Sequence, residues 1–459
     1  MYNTAVGHGA GAAVTTGIFN VLIGGLSGDA ITDADFNVAV GTNTLSTNTL
    51  GSQNVAVGNA ALNAMNPATA TDMYNTAVGA SAGLSVTTGI KNVIMGGLAG
   101  DALTDADFNT VIGFGALSTD TVGSHSTAVG NLALLNQNPS TATDMYNVAV
   151  GTSSGSGLTT GVQNTIIGSL ACPTDDTGSS TVAVGFQSLF SQNSDADEET
   201  QNTGLGYQAG YHNVIGRGNT SVGFKAGAGA SGNSYSDLAA VGSKAGQRVS
   251  TGTNNVFVGS SAGENVSSGT ENTLIGALAG DAITTGSNNV VLGSGAAVAA
   301  VSTTGANVLG RNVSGAAGFT TLGSGSDDIR AAHGTATWAT VSDERYKKDI
   351  TDSTLGLSFI NALKPRTFNY KTLGELPETF RAYEEGSSEV YKSDQTQHGF
   401  IAQEVKTAID AASGVANGFK MWAERPDGSQ EVAEAALIPM LVKAIQELSA
   451  EVETLKSGG

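Results

Sequence analysis

The apolar residues of the first 323 positions come in bursts of two or three, most of them opened by an asparagine and closed by a glycine. The phrase is Asn-x-Ala-Val-Gly or a near relative: Asn3-Thr4-Ala5-Val6-Gly7, Asn20-Val21-Leu22-Ile23-Gly24, Asn37-Val38-Ala39-Val40-Gly41. Its closing glycine recurs as far as Gly310, and of the seventeen intervals thirteen are 17 residues, three are 21 and one is 19. A fixed period of this size predicts stacked supersecondary units. Each burst is rich in β-formers, and the glycine after it can take positive φ at a turn. A weaker apolar phrase follows in each period, as at Ala30-Ile31 or Leu45, so two short strands per coil are expected. Such a coil is flat and encloses only a thin core of Ala, Val and Ile. A ribbon that thin leaves one apolar face wet, and a three-fold assembly would bury that face at its axis. Eighteen coils at roughly 4.8 Å each predict a shaft about 85–90 Å long.

Three periods of 17 and one of 21 also make a 72-residue super-repeat, in which Met1-Tyr2-Asn3 returns as Met73-Tyr74-Asn75 and Met145-Tyr146-Asn147. The long intervals follow Gly58, Gly130 and Gly185. Two carry Asn-Pro, at Asn66-Pro67 and Asn138-Pro139; the third carries the acid run Asp195-Ala196-Asp197-Glu198-Glu199. They read as loops bulging from one edge, with a receptor-contact ridge as the sharper alternative. Asp29, Asp33 and Asp35, echoed by Asp101, Asp105 and Asp107, invite a calcium reading. Their spacing matches no calcium loop, and aspartate is a usual turn former, so no metal and no cofactor is expected. The histidines are scattered, and nothing in the repeat reads as a glycan-cleaving centre.

The period decays after Gly310. A last echo, Thr321-Leu322-Gly323, precedes the β-forming run Thr335-Ala336-Thr337-Trp338-Ala339-Thr340-Val341, with Trp338 expected to cap the shaft end. The division expected is a shaft over 1–323, a bridge over 324–341 and a small α+β domain over 342–459. Charge supports that boundary: Lys and Arg number 7 before residue 342 and 13 after it, against 21 and 19 acids. A final helix is predicted over 437–456. Ile438, Leu441, Ile445, Leu448, Val452 and Leu455 step by threes and fours, the seam of a coiled coil. Packing of this helix on its own domain is the alternative.

The net charge of −20 disfavours nucleic acid and anionic membranes as partners. No apolar run is long enough for a membrane helix, and no signal peptide is expected at the N-terminus. The single cysteine, Cys172, excludes an intrachain disulfide and reads as a buried hydrophobe. The 63 glycines show no three-residue period, which excludes collagen.

The repeat phrase resembles the head repeat of trimeric autotransporter adhesins, a left-handed parallel β-roll that also occurs in phage tail fibres. The likeness covers about residues 3–310. Those adhesins carry a secretion signal and a membrane-anchored barrel; neither is expected here, which favours a virion fibre. Ser342-Asp343-Glu344-Arg345-Tyr346-Lys347-Lys348-Asp349-Ile350 closely resembles the opening motif of the intramolecular chaperone domain of phage endosialidase tailspikes, a family that also includes tail fibres, neck appendages and the myelin regulatory factor. Gly356-Leu357-Ser358-Phe359-Ile360-Asn361-Ala362-Leu363-Lys364-Pro365, then Phe368-Asn369-Tyr370, then His398-Gly399-Phe400-Ile401-Ala402-Gln403-Glu404-Val405 match later features of that family in order.

The resemblance implies self-cleavage between Val341 and Ser342, with Ser342 as nucleophile and Lys347 as base. Lys348 is the second choice of base, Asp343 is expected to shape the site, and Arg345 and Lys348 to supply positive charge that favours a neutral lysine. Without the family, a Ser and a Lys five apart read as a solvated charge cluster. The whole predicts a mostly β chain: a trimeric parallel β-roll of 17-residue coils, then an α+β chaperone domain ending in a coiled-coil helix. Its expected task is that of a homotrimeric tail fibre or appendage of a virion, made in the host cytoplasm and acting in host attachment. It would be a single-turnover serine peptidase acting on itself, with other tail proteins and a host-surface glycan or protein as partners. A bacterial surface adhesin and a polysaccharide-degrading tailspike are the alternatives. A membrane-tethered transcription factor is disfavoured for want of a membrane helix and positive charge.

Overall fold

The bursts are strands. Val21–Ile23 pairs in parallel with Thr4–Val6 on one side and Val38–Val40 on the other, each time one period apart. A computed structural model describes residues 2–194, 199–335, 337–412 and 421–458. It divides into two compact units, Met1–Val341 and Ser342–Gly459.

The first unit is a β-solenoid built on one sheet of 21 strands, of which all but the last two are parallel. From the second coil on, the middle residue of each three-residue repeat strand points inward and is buried, as Leu22, Ala39, Ala56, Ile94 and Val111 are; in the first, Ala5 is exposed. The outer two point away from the core. The third strand position is aliphatic in coil after coil and stays partly exposed: Val6 at 57%, Ile23 at 37%, Met95 at 41%, Leu205 at 45%. This row is the apolar face that the flatness of the coil predicts.

Two strands per coil were expected, and most coils have one. A second strand pair forms only between Gly51–Ser52 and Thr71–Asp72, Gly123–Ser124 and Thr143–Asp144, and Ala297–Val298 and Ser314–Gly315, among the described residues. The reason is backbone geometry. The weaker phrase lies in tight turns: Ile31 N bonds back to Gly28 O, and Leu45 takes φ 51°. Coils are still linked there, as by Thr15 N to Thr32 O and Thr32 N to Thr49 O. The repeat glycine is obligatory. Gly168 has φ 133°, and a Cβ on it would lie 2.5 Å from Gly185 O in the next coil.

The opening asparagine of each phrase is the other internal tie. Asn92 is fully buried. Its backbone N–H donates to Asn75 Oδ1 (2.9 Å), its Nδ2 to Ala106 O (2.8 Å), and its Oδ1 accepts from Asn109 N (2.9 Å). The same pattern starts at Asn3 and Asn20. Each such asparagine satisfies backbone groups that a turn would otherwise bury unpaired.

Longer coils are prepared by the coil before them. One interior position holds Ile31, Val86 or Leu103 in ordinary coils but Asn48, Asp120 and Asp175 just before the three 21-residue intervals. There the side chain turns back on the glycine three residues on: Gly51 N donates to Asn48 Oδ1 (2.8 Å), Gly123 N to Asp120 Oδ1 (2.7 Å). Of the acid run in the third long interval, residues 195–198 lie outside the described residues.

Four of the six aspartates of the calcium reading, Asp33, Asp35, Asp105 and Asp107, tie coils together: Asp35 Oδ1 accepts from Ile18 N and Asp107 Oδ1 from Ile90 N, both at 2.7 Å, while Asp29 and Asp101 each bury an Oδ1 that accepts no hydrogen bond from the described residues. Cys172 is buried, and burial pushes its thiol pKa well up. Past Gly310 the parallel stack ends in a hairpin, Phe319–Ser324 against Asp327–Ala332, extended by Ala339–Thr340. Trp338 does not cap the shaft; it is 51% exposed, in the segment leading into that last edge strand.

The second unit is small and α+β. Helices α1 (Leu357–Ala362), α2 (Ala402–Ala411) and α3 (Ile438–Ser457) accompany two antiparallel pairs, Arg366–Phe368 with Gln397–Gly399 and Trp422–Glu424 with Gln430–Val432. Leu355, Phe359, Leu363, Val405, Met421 and Leu437 form its core.

Candidate functional site

The second unit begins at Ser342, and the motif Ser342–Ile350 folds as one tight turn. Asp343 caps a 3-10 turn, Glu344–Tyr346, by accepting from Arg345 N at 2.8 Å. The Arg345 guanidinium closes the same turn from the side, with Nε 3.0 Å from Oδ1 and Nη2 2.6 Å from Oδ2. This pairing holds the Asp343 carboxyl below its ordinary range and raises Arg345. The turn reverses the chain just enough to return Lys347 to Ser342: Lys347 Nζ lies 2.7 Å from Ser342 Oγ.

The two residues expected to carry the chemistry are therefore in hydrogen-bond contact. Asp343 and Arg345 neutralise each other and shape the turn, so Arg345 is not a source of unbalanced charge at Lys347. Lys348 makes no ion pair among the described residues. The motif is open to solvent in the single chain: Tyr346 is 81% exposed and Ile350 65%. In the first unit, Val341 is 59% exposed and follows the edge strand Ala339–Thr340. The peptide bond joining the two units is the Val341–Ser342 bond.

A serine and an amine in this relation can do acyl transfer once the lysine is neutral. The hydroxyl needs an acceptor for its proton, and the amine is within reach.

Elsewhere in the unit, His398 and Glu404 of the second signature have structural partners. Glu404 is bidentate with Arg366 across from the strand Arg366–Phe368, with Nε–Oε2 at 2.8 Å, and the pair holds the carboxyl below its ordinary range. His398 Nδ1 lies 3.4 Å from Thr367 Oγ1. Sequence reasoning missed Glu447. It sits on α3 and accepts from the amide of Leu357 at 2.7 Å, capping the start of α1. No periodicity marks it, because its role depends on a contact ninety residues away.

Helix α3 has two faces. Ala444 is buried and Met440 packs on the domain core. The heptad residues face away: Ile438 is 61% exposed, Ile445 63%, Leu448 49% and Leu455 77%.

Residues 342–414 match the peptidase family described as chaperone of endosialidase. No curated protein and no solved structure matches the chain. A long β-solenoid of 17-residue coils followed by a segment that matches this family model is consistent with a phage fibre or tailspike-like protein.

Proposed function

We propose that this chain is the subunit of a homotrimeric virion fibre used in host attachment, and that it matures by cutting its own Val341–Ser342 bond. The carrying observation is the 2.7 Å contact of Lys347 Nζ with Ser342 Oγ, at the first residue of the second unit and of the family match.

The reaction balances with groups of this chain and water. Ser342 Oγ attacks the Val341 carbonyl carbon while its proton passes to neutral Lys347 Nζ. The C–N bond breaks, the proton moves to the departing Ser342 nitrogen, and Val341 becomes an ester on Oγ. Water then hydrolyses the ester, leaving a Val341 carboxylate and a free Ser342. A lysine serves as base only when desolvation or nearby cations favour its neutral form. In the single chain the site is open, so assembly of three chains is the step that would bury it. This makes the cut conditional on trimerisation.

The exposed heptad row of α3 and the aliphatic row of the shaft both support assembly. Trimerising the C-terminal helices first sets the register of coils that could otherwise pair out of step. Removing the helper afterwards leaves a shaft whose unfolding is hard to reverse.

The test is intact mass and denaturing gel of the purified trimer beside Ser342→Ala and Lys347→Ala. Wild type is expected to give fragments of 341 and 118 residues, and both variants to stay whole at 45.8 kDa. An uncut wild-type trimer would sink the peptidase reading.

A further inference from the structure

The first unit is poor in positive charge, yet four of its seven Lys and Arg, Arg217, Lys225, Lys244 and Arg248, fall in three consecutive coils. Between Gly223 and Gly242 lies the one 19-residue interval of the repeat. The two peculiarities coincide in an open depression of about 390 Å³, whose polar lining is Gln208, Tyr211, His212, Lys225, Gln247 and Arg248.

Lys225, Lys244 and Arg248 form no salt bridge among the described residues. Lys225 and Lys244 hold equivalent places, two residues after the repeat glycine. Their amides bond back to the coil before, to Tyr207 O (2.9 Å) and Phe224 O (2.8 Å). Lys225 Nζ also lies 5.6 Å from the centre of the Phe224 ring. Arg248 Nη1 donates to Asn265 Oδ1 at 2.8 Å, leaving the rest of its fork to bind. Glu264, whose carbonyl receives the Arg248 amide, makes no ion pair with it.

The rest of the wall is fixed and suited to hydroxyls. The Tyr211 ring stacks on Phe190 at 4.9 Å and meets His212 edge-on at 4.5 Å. Partial burial lowers the His212 pKa, so its ring is neutral near pH 7 and free to exchange hydrogen bonds. Gln208 is held by Gln187 (2.8 Å). Ala228 and Gly229 of the long coil floor the depression, and Gly229 has φ 75° with the Tyr235 ring 2.9 Å from where a Cβ would stand. These features lie on the turn side of the coil, away from the aliphatic row of the strands.

We propose that this depression binds an acidic sugar residue of a host-surface glycan, the carboxylate held by Lys225 and Arg248 and the hydroxyls by Gln208, Gln247 and His212. The proposal rests on the attachment reading above and names its ligand class. The first unit is acidic, with 21 acids to seven cations, so it disfavours long polyanions relative to short acidic oligosaccharides.

The test is calorimetric titration of the full chain with three probes: trigalacturonate, the neutral galactose trisaccharide and inorganic phosphate. It is repeated with the double variant Lys225→Gln/Arg248→Gln, after checking that assembly and melting are unchanged. The expected result is binding of trigalacturonate, weakened at least tenfold in the double variant and by added salt, with little binding of the neutral sugar. Equal binding by wild type and double variant overturns the proposal. So does binding of phosphate in preference to trigalacturonate, which marks a simple anion site. Adsorption to host cells separates the two readings. If the double variant adsorbs as wild type does, attachment stands and this site falls; if wild type binds neither cells nor sugar, both fall.

Discussion

Glu447, ten residues into α3, accepts a 2.7 Å hydrogen bond from the amide of Leu357, the first residue of α1. One carboxylate thus ties the helix proposed to trimerise to the segment that follows the cleavage motif. It meets an unpaired N–H at the positive end of a helix, where an anion is worth about 1 kcal/mol, up to about 2 when partly buried. Glu447→Ala is expected to lower the stability of the second unit by about 1–2 kcal/mol, with Glu447→Gln intermediate. Urea unfolding of the unit carrying Ser342→Ala, which keeps it attached, gives the number; no change would mean that water caps α1 equally well.

The exposed row on α3 gives a cleaner test of assembly, because its residues support no core in the single chain. Ile445 is 63% exposed and Leu448 49%. Ile445→Asp with Leu448→Asp is expected to leave the single-chain fold intact, abolish the trimer in sedimentation, and with it abolish processing. If the double variant still cuts itself as a monomer, the link between assembly and cleavage is broken.

Asn92 is a representative rung of the internal ladder. Asn92→Ala removes three side-chain hydrogen bonds and leaves Asn109 N and Ala106 O buried without these partners. At about 1–3 kcal/mol for each stranded group, the expected cost is about 2–4 kcal/mol. An equivalent change at Asn59, which is exposed, should cost under about 0.5 kcal/mol. Denaturant unfolding of the two side by side is the check, and equal effects would remove the ladder as a source of stability.

What the sequence made legible is the part that repeats. The period located the strands, because one burst of β-formers per 17 residues has no other way to pair its backbone. The contact of Ser342 with Lys347 was foreseeable only through the family motif, since the reversing turn depends on Asp343 folding back onto Arg345. The second strand was misread because Leu45 and Ile31 look β-forming, whereas the chain there turns through left-handed backbone that only the stacking enforces. Asn48, Asp120 and Asp175 announced the long coils plainly, as polar residues in a column of Val, Ile and Leu. That signal is visible only once the column is known to be interior.

Asp120 carries the pH prediction. It is fully buried, and burial raises its carboxyl above the ordinary range despite hydrogen bonds from Gln137 Nε2 (2.6 Å) and Gly123 N (2.7 Å). A carboxyl whose folded pKa is raised holds its proton more tightly in the folded chain. Below its unfolded pKa it makes no difference. As pH climbs past that value the unfolded chain ionises first, so stability falls until the folded group has ionised too, and stays lower above that. Asn48, one 72-residue super-repeat earlier and likewise just before a long coil, shows that an amide does the same turn-closing work, with Gly51 N at 2.8 Å. Asp120→Asn is therefore expected to stabilise the shaft at pH 7 and to have no such effect near pH 3, where the wild-type group is protonated in both states. The check is the difference in denaturant midpoint between wild type and variant across pH 3 to 8. Other carboxylates cancel in that difference, so a gap that does not widen with pH would show that the Asp120 charge is well accommodated in the coil.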